Sequence, residues 1–102
     1  MYTIFSFRNS SSWIRNSEQV TIDNVLVYGD NRYPNNDGID PDSSSHVTIS
    51  NCDIDVADDG ISPKSNDAER PLQYLTVINC TIRSRSHAIK FGSDTNGDMA
   101  HA

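Results

Sequence analysis

The sequence predicts an all-β chain wound as a right-handed parallel β-helix of about three to four coils. Three observations carry that expectation. One segment recurs as Val20-Thr21-Ile22-Asp23-Asn24-Val25-Leu26-Val27, Val47-Thr48-Ile49-Ser50-Asn51-Cys52-Asp53-Ile54 and Leu75-Thr76-Val77-Ile78-Asn79-Cys80-Thr81-Ile82, with starts offset by 27 and then 28 residues. That is the length of a supersecondary unit that stacks on copies of itself. A second segment recurs inside each period, as Asn35-Asn36-Asp37-Gly38-Ile39-Asp40-Pro41-Asp42-Ser43, Asp58-Asp59-Gly60-Ile61-Ser62-Pro63-Lys64-Ser65 and Ser86-His87-Ala88-Ile89-Lys90-Phe91-Gly92-Ser93. Between them lie Gly29-Asp30-Asn31, Asn35-Asn36-Asp37-Gly38 and Ser65-Asn66-Asp67, residues that tolerate tight and left-handed backbone and are disfavoured inside strands.

Each long copy alternates apolar and polar positions and is rich in β-branched residues, which fits a strand with one buried face. No copy sustains a helical period. The 35% hydrophobic content is low for a packed domain and is shared by disordered chains and by solenoids with polar turns, so patterning decides between them. Upstream, Ile4, Phe5, Phe7, Trp13 and Ile14 flank a polar Asn9-Ser10-Ser11-Ser12 stretch, read as short strands joined by a turn. Stacking coils at about 4.8 Å places equivalent residues in columns. Asn24, Asn51 and Asn79 form a polar ladder, and Val25, Cys52 and Cys80 an apolar one. The two cysteines read as buried thiols, since no Cys-x-x-Cys spacing accompanies them. Pro41, Pro63 and Phe91 share a further column, which is unusual because proline donates no ladder hydrogen bond.

A chain of 102 residues has room for one small domain, with little stability to spare. The repeat is under way at residue 20 and no polar cap follows the third copy, so residues 1–102 are expected to form a single partial β-helix domain lacking terminal coils and caps. The formal net charge of -6 argues against a nucleic-acid partner, which needs a basic footprint. No run of 18 or more apolar residues is present, so no membrane-spanning helix is expected. The segment Met1–Phe7 is apolar without the basic start and small-residue cleavage site of a secretion signal.

Aligned on the small residue before the isoleucine, the second segments put Asp37, Asp59 and His87 in one column, with Asn36, Asp58 and Ser86 in the column before it. Carboxylates stacked roughly 5 Å apart cannot all ionise at their free pKa values, so one is expected to stay protonated near neutral pH. A neutral acid beside ionised carboxylates is the equipment of glycoside hydrolysis. One coil spacing alone is shorter than the separation of an inverting pair and points to a retaining one, unless a bend at Gly38 or Gly60 alters it. Strict strand alternation would also send Asp59 to the same side as Ile61. His87 could hold or tune a carboxylate, and Lys64 and Lys90 could meet an acidic substrate as point charges. Asp40, Asp42, Asp53 and Asp55 offer oxygens to calcium, but they lack the spacing of an EF-hand loop, so calcium is a secondary reading.

The run from residue 35 to 65, with Val47-Thr48-Ile49-Ser50-Asn51-Cys52 between its two acidic motifs, closely resembles glycoside hydrolase family 28, the polygalacturonases and their relatives in the pectin-lyase-like β-helix superfamily. The resemblance implies an inverting site in which Asp58 is the general acid, Asp37 and Asp59 activate water, and His87 supports them. It implies hydrolysis of α-linked galacturonan in pectin without a cofactor or metal, by a secreted or periplasmic protein. Asn35, Lys64 and Lys90 are then the candidates for substrate contact. Two departures stand out: Ser86 and Ala88 flank His87 where the family has glycines, and no Arg-Ile-Lys motif for gripping the uronate follows. The 102 residues alone are accordingly expected to be inactive. The alternatives are a hydrolase of another acidic polysaccharide, such as rhamnogalacturonan, and a non-catalytic polysaccharide-binding β-helix.

Overall fold

Alternation in the long repeated segments produces strands with one face in the core, and the asparagine column is where the chain turns out of them. The structure is a computed structural model that describes residues 3–7, 12–29, 37–67, 69–91 and 99–100. Its strands are β1 (Thr3–Phe7), β2 (Ser12–Arg15), β3 (Glu18–Asp23), β4 (Val25–Gly29), β5 (Ile39–Asp42), β6 (Ser45–Ser50), β7 (Asp53–Val56), β8 (Leu72–Ile78), β9 (Thr81–Ser84) and β10 (Met99–Ala100). All pairings are parallel. The strands form three sheets in the orders β1-β4-β7-β9, β10-β8-β6-β3 and β2-β5. The third sheet continues as isolated bridges, Ile39 to Ile61 to Ile89 and Asp42 to Lys64. The architecture is a parallel β-helix with three strand positions per coil.

Each long repeat, read from sequence as one strand, is two strands broken at its asparagine. Asn24, Asn51 and Asn79 all adopt left-handed backbone, with φ of 55°, 53° and 54°, a conformation that asparagine visits at less cost than most residues. The predicted amide ladder forms between Asn79 and Asn51 and then passes to Asp23 in place of Asn24. Asn79 Nδ2 donates to Asn51 Oδ1 at 2.6 Å, and Asn51 Nδ2 donates to Asp23 Oδ1 at 2.8 Å. Further left-handed columns occur at Gln19, His46 and Tyr74, and at Asn16 and Ser43, so the winding is set by repeated corners. The strands expected upstream are β1 and β2; the turn between them lies outside the described residues.

Val27, Ile39, Val47, Ile49, Ile54, Val56 and Ile61 fill the interior, each burial stabilising by roughly 1.5–3 kcal/mol. Both cysteines are free thiols: Cys52 is buried in that core as expected, whereas Cys80 is only half-buried, packed against its edge. The proline column also finds its reason. Ile39 N–H donates to Gly60 O, Ser62 N–H to Ile39 O, Lys64 N–H to Pro41 O and Ser43 N–H to Lys64 O. The one rung skipped is the donation Pro41 cannot make. The ladder closes again on either side of it, which is why bridges rather than a continuous strand join β5 to residues 61–64.

Register survives one shortened step. Ile39 pairs with Ile61, a step of 22 residues, whereas Leu26 pairs with Asp53, a step of 27, and Val47 with Leu75, a step of 28. The connections on either side of the 39–61 rung therefore differ in length while the strands stay aligned. No helix among the described residues is long and apolar enough to cross a membrane.

Candidate active site

The bridge register from Ile39 through Ile61 to Ile89 places Asp37, Asp59 and His87 on successive rungs, as the aligned motifs predict. Asp37 and Asp59 precede the rungs at bends centred on Gly38 and Gly60, so strand alternation does not govern where they point. Close stacking requires those glycines. A Cβ on Gly38 would lie 2.8 Å from Ile54 Cγ2, and one on Gly60 would lie 2.6 Å from the Ala88 carbonyl oxygen. The bends allow Gly38 N–H to donate to Asp59 O and Gly60 N–H to His87 O, each at 2.9 Å.

The rungs are linked by side chains as well. Asp59 N–H donates to Asp37 Oδ1 at 3.2 Å. His87 Nδ1 lies 3.2 Å from Asp59 Oδ1 and 2.9 Å from Ser86 Oγ. With its proton on Nδ1 the ring donates to Asp59, leaving Nε2 for solvent or substrate; the side chain is 56% exposed. The Ser84 hydroxyl donates to the Asp58 carbonyl and accepts from Ser86 N–H at 2.9 Å, tying the coil that carries His87 to the one that carries Asp58. One oxygen each from Asp37, Asp58 and Asp59 lies within 4.8 Å of the others. Lys64 Nζ lies 3.9 Å from the Asp37 member of this cluster.

Lys64 reaches inward. Its Nζ lies 3.5 Å from Asp40 Oδ2 and 3.9 Å from Asp37 Oδ2, with the side chain 13% exposed. Asp40 is the residue that sequence reasoning missed as part of the site. It is 1% exposed, and its Oδ1 has no hydrogen-bond partner among the described residues. Burial first, and then the neighbouring Asp37 carboxylate, push its pKa up to about 8, against the opposing pull of Lys64. The carboxyl raised past neutral pH is thus Asp40, more deeply buried than Asp37 and Asp59. Nothing in the sequence signals that Lys64 packs against Asp40.

Lys90 is exposed and forms no ion pair with these carboxylates among the described residues. Asn35 lies outside the described residues. The aspartates considered for calcium are dispersed. Asp53 and Asp55 pair with Arg83 at 3.1 Å and 3.3 Å, and Asp42 accepts from Asn66 N–H and Nδ2 at 2.8 Å and 2.7 Å.

Stacked coils with a carboxylate cluster on one run of rungs and an imidazole beside it define a β-helix equipped for acid–base chemistry of the glycosidase type. The model of glycosyl hydrolases family 28 matches residues 3–101, and the chain belongs to that family. It is 34% identical over 94 residues to an exopolygalacturonase of Cochliobolus carbonum, covering 85% of this chain and 20% of that protein. It is 32% identical over 101 residues to a probable polygalacturonase of Vitis vinifera, covering 89% of this chain and 21% of that protein. The chain therefore spans about one fifth of the length of these relatives. No solved structure matches it.

Proposed function

We propose that these residues carry the acid–base centre of a glycoside hydrolase that cleaves α-1,4-galacturonosyl bonds of pectic polysaccharide with inversion. Asp58 donates its proton to the leaving glycosidic oxygen as the bond to the anomeric carbon breaks. Water attacks that carbon from the opposite face and gives its proton to Asp37 or Asp59. His87 orients Asp59, and exposed Lys90 is available to a uronate carboxylate; Asn35 is the further candidate for substrate contact. The observation that carries this reading is the convergence of Asp37, Asp58 and Asp59 within 4.8 Å, in a chain of family 28. Oxygen spacing alone does not select the stereochemical outcome, because retaining pairs sit at about 5–5.5 Å and inverting pairs at about 6.5–9.5 Å between carboxyl groups. The names of the two relatives favour a pectic polymer, and a polymer of that size places the enzyme outside the cell or in the periplasm.

The test is reducing-sugar release from polygalacturonate by the full-length protein, with and without EDTA, beside Asp58→Asn. Release that survives EDTA and needs Asp58, with the product first appearing as the inverted anomer by proton NMR, is the expected result. Binding to pectic polymers without release from any of them would replace hydrolysis with a polysaccharide-binding role, a reading that the Ser86 and Ala88 flanks of His87 favour.

A further inference from the structure

Beneath the Asp37, Asp58 and Asp59 cluster lies a more deeply buried charged layer that the hydrolytic scheme does not use. Lys64 is wedged between Asp37 and Asp40, 3.9 Å from the first and 3.5 Å from the second. Asp40 is sealed from solvent, so it can neither touch a sugar nor exchange a proton with a leaving group. We propose that Asp40 and Lys64 are positioning residues, a buried acid–ammonium pair that holds the Asp37 carboxylate ionised and aimed at the attacking water. This rests on the hydrolytic role proposed for Asp37.

The charge arithmetic favours this division of labour. Asp37 faces Asp58 and Asp59 on the next coil, with His87 beyond Asp59, and like charges at such distances resist joint ionisation. Lys64 offsets that repulsion from behind, and its nearly buried ammonium is screened by solvent far less than a surface lysine. Two carboxylates beside one ammonium would leave a net negative charge in a buried space. Asp40 in its neutral form resolves this by sharing its proton with Asp37, and burial holds it in that form. Lys64 then neutralises Asp37, and Asp40 keeps Lys64 in place. Asn at position 40 can do much of this by offering an amide donor, whereas Ala cannot.

The test uses the full-length protein with Asp40→Ala, Asp40→Asn and Lys64→Met, read by kcat–pH profiles and by carbon NMR titration of the Asp37 carboxyl. Asp40→Ala should lower kcat about 10- to 100-fold with KM changed less than about threefold, and Asp40→Asn should recover most of the loss. Lys64→Met should move the acidic limb of the kcat profile, and the Asp37 midpoint, upward by about one pH unit. Folded variants with lowered melting temperature but unmoved profile limbs and an unmoved Asp37 midpoint would overturn the proposal and leave the pair a structural role only. Should the wild type release no sugar from any pectic polymer, the hydrolytic reading fails by itself. The NMR titration still decides whether the pair governs Asp37.

Discussion

The backbone N–H of Asp59 donates to Oδ1 of Asp37 at 3.2 Å across the boundary between two coils. Asp37 is thereby held by the same stacking that holds the fold. An asparagine at position 37 keeps the accepting oxygen and discards the charge. Asp37→Asn in the full-length protein should therefore lower kcat by about 10²–10⁴-fold while the melting temperature stays within about 2 °C of wild type. Pectin-degradation assays and thermal unfolding on the same samples check both halves. A large melting shift would mean that the charge, and not the acceptor, supports the rung.

Gly60 tests the closeness of the coils. Its missing Cβ would sit 2.6 Å from Ala88 O and also press on Ile82 Cγ2. The carbonyl belongs to the next rung and cannot yield without straining the 2.9 Å bond that it accepts from Ile61 N–H. Gly60→Ala should destabilise by about 1–3 kcal/mol, read by urea unfolding. An unchanged midpoint would show that the rungs can spread.

Asp40 gives the fold a pH dependence. Its folded pKa is raised from 3.8 to about 8 by burial and by Asp37. The native state therefore holds this proton more tightly than the unfolded chain does. Its contribution is fully present below the unfolded value and is lost as pH rises through the folded one, so stability should decline across that window. Asp40→Asn removes the titration. Its urea midpoints should vary less with pH between 3.8 and about 8 than those of wild type. Parallel curves for the two proteins would show that Asp40 does not titrate there.

The corner at Asn51 combines a left-handed φ of 53° with amide bonds to Asp23 and from Asn79. Asn51→Gly loses the bonds but keeps the backbone at ease, whereas Asn51→Ala also incurs left-handed strain of about 1–2 kcal/mol. The alanine variant should thus melt below the glycine variant, in calorimetry of both. Equal melting of the two variants would place the stability of the corner in its side-chain bonds alone.

The repeat period, the parallel winding and the column Asp37, Asp59 and His87 were all readable in the sequence, because a solenoid repeats its contacts at the interval at which it repeats its residues. The third strand position in each coil was not, because corners at Asn24, Asn51 and Asn79 sit inside segments whose alternation continues across the break. Nor was the inward reach of Lys64 legible. Alternation tells which face a side chain leaves from, but a long side chain chooses its partners among residues brought near by coil stacking. The placement of Asp59 escaped alternation for a different reason, since the bend at Gly60 sets its direction before the rung begins.

The 22-residue step between Ile39 and Ile61, beside steps of 27 and 28 in the flanking sheets, separates two properties that most folds vary together. Connections can lengthen or shorten on either flank of the acidic rung without disturbing its registry. Related sequences could then remodel the borders above this row of carboxylates without shifting the row itself.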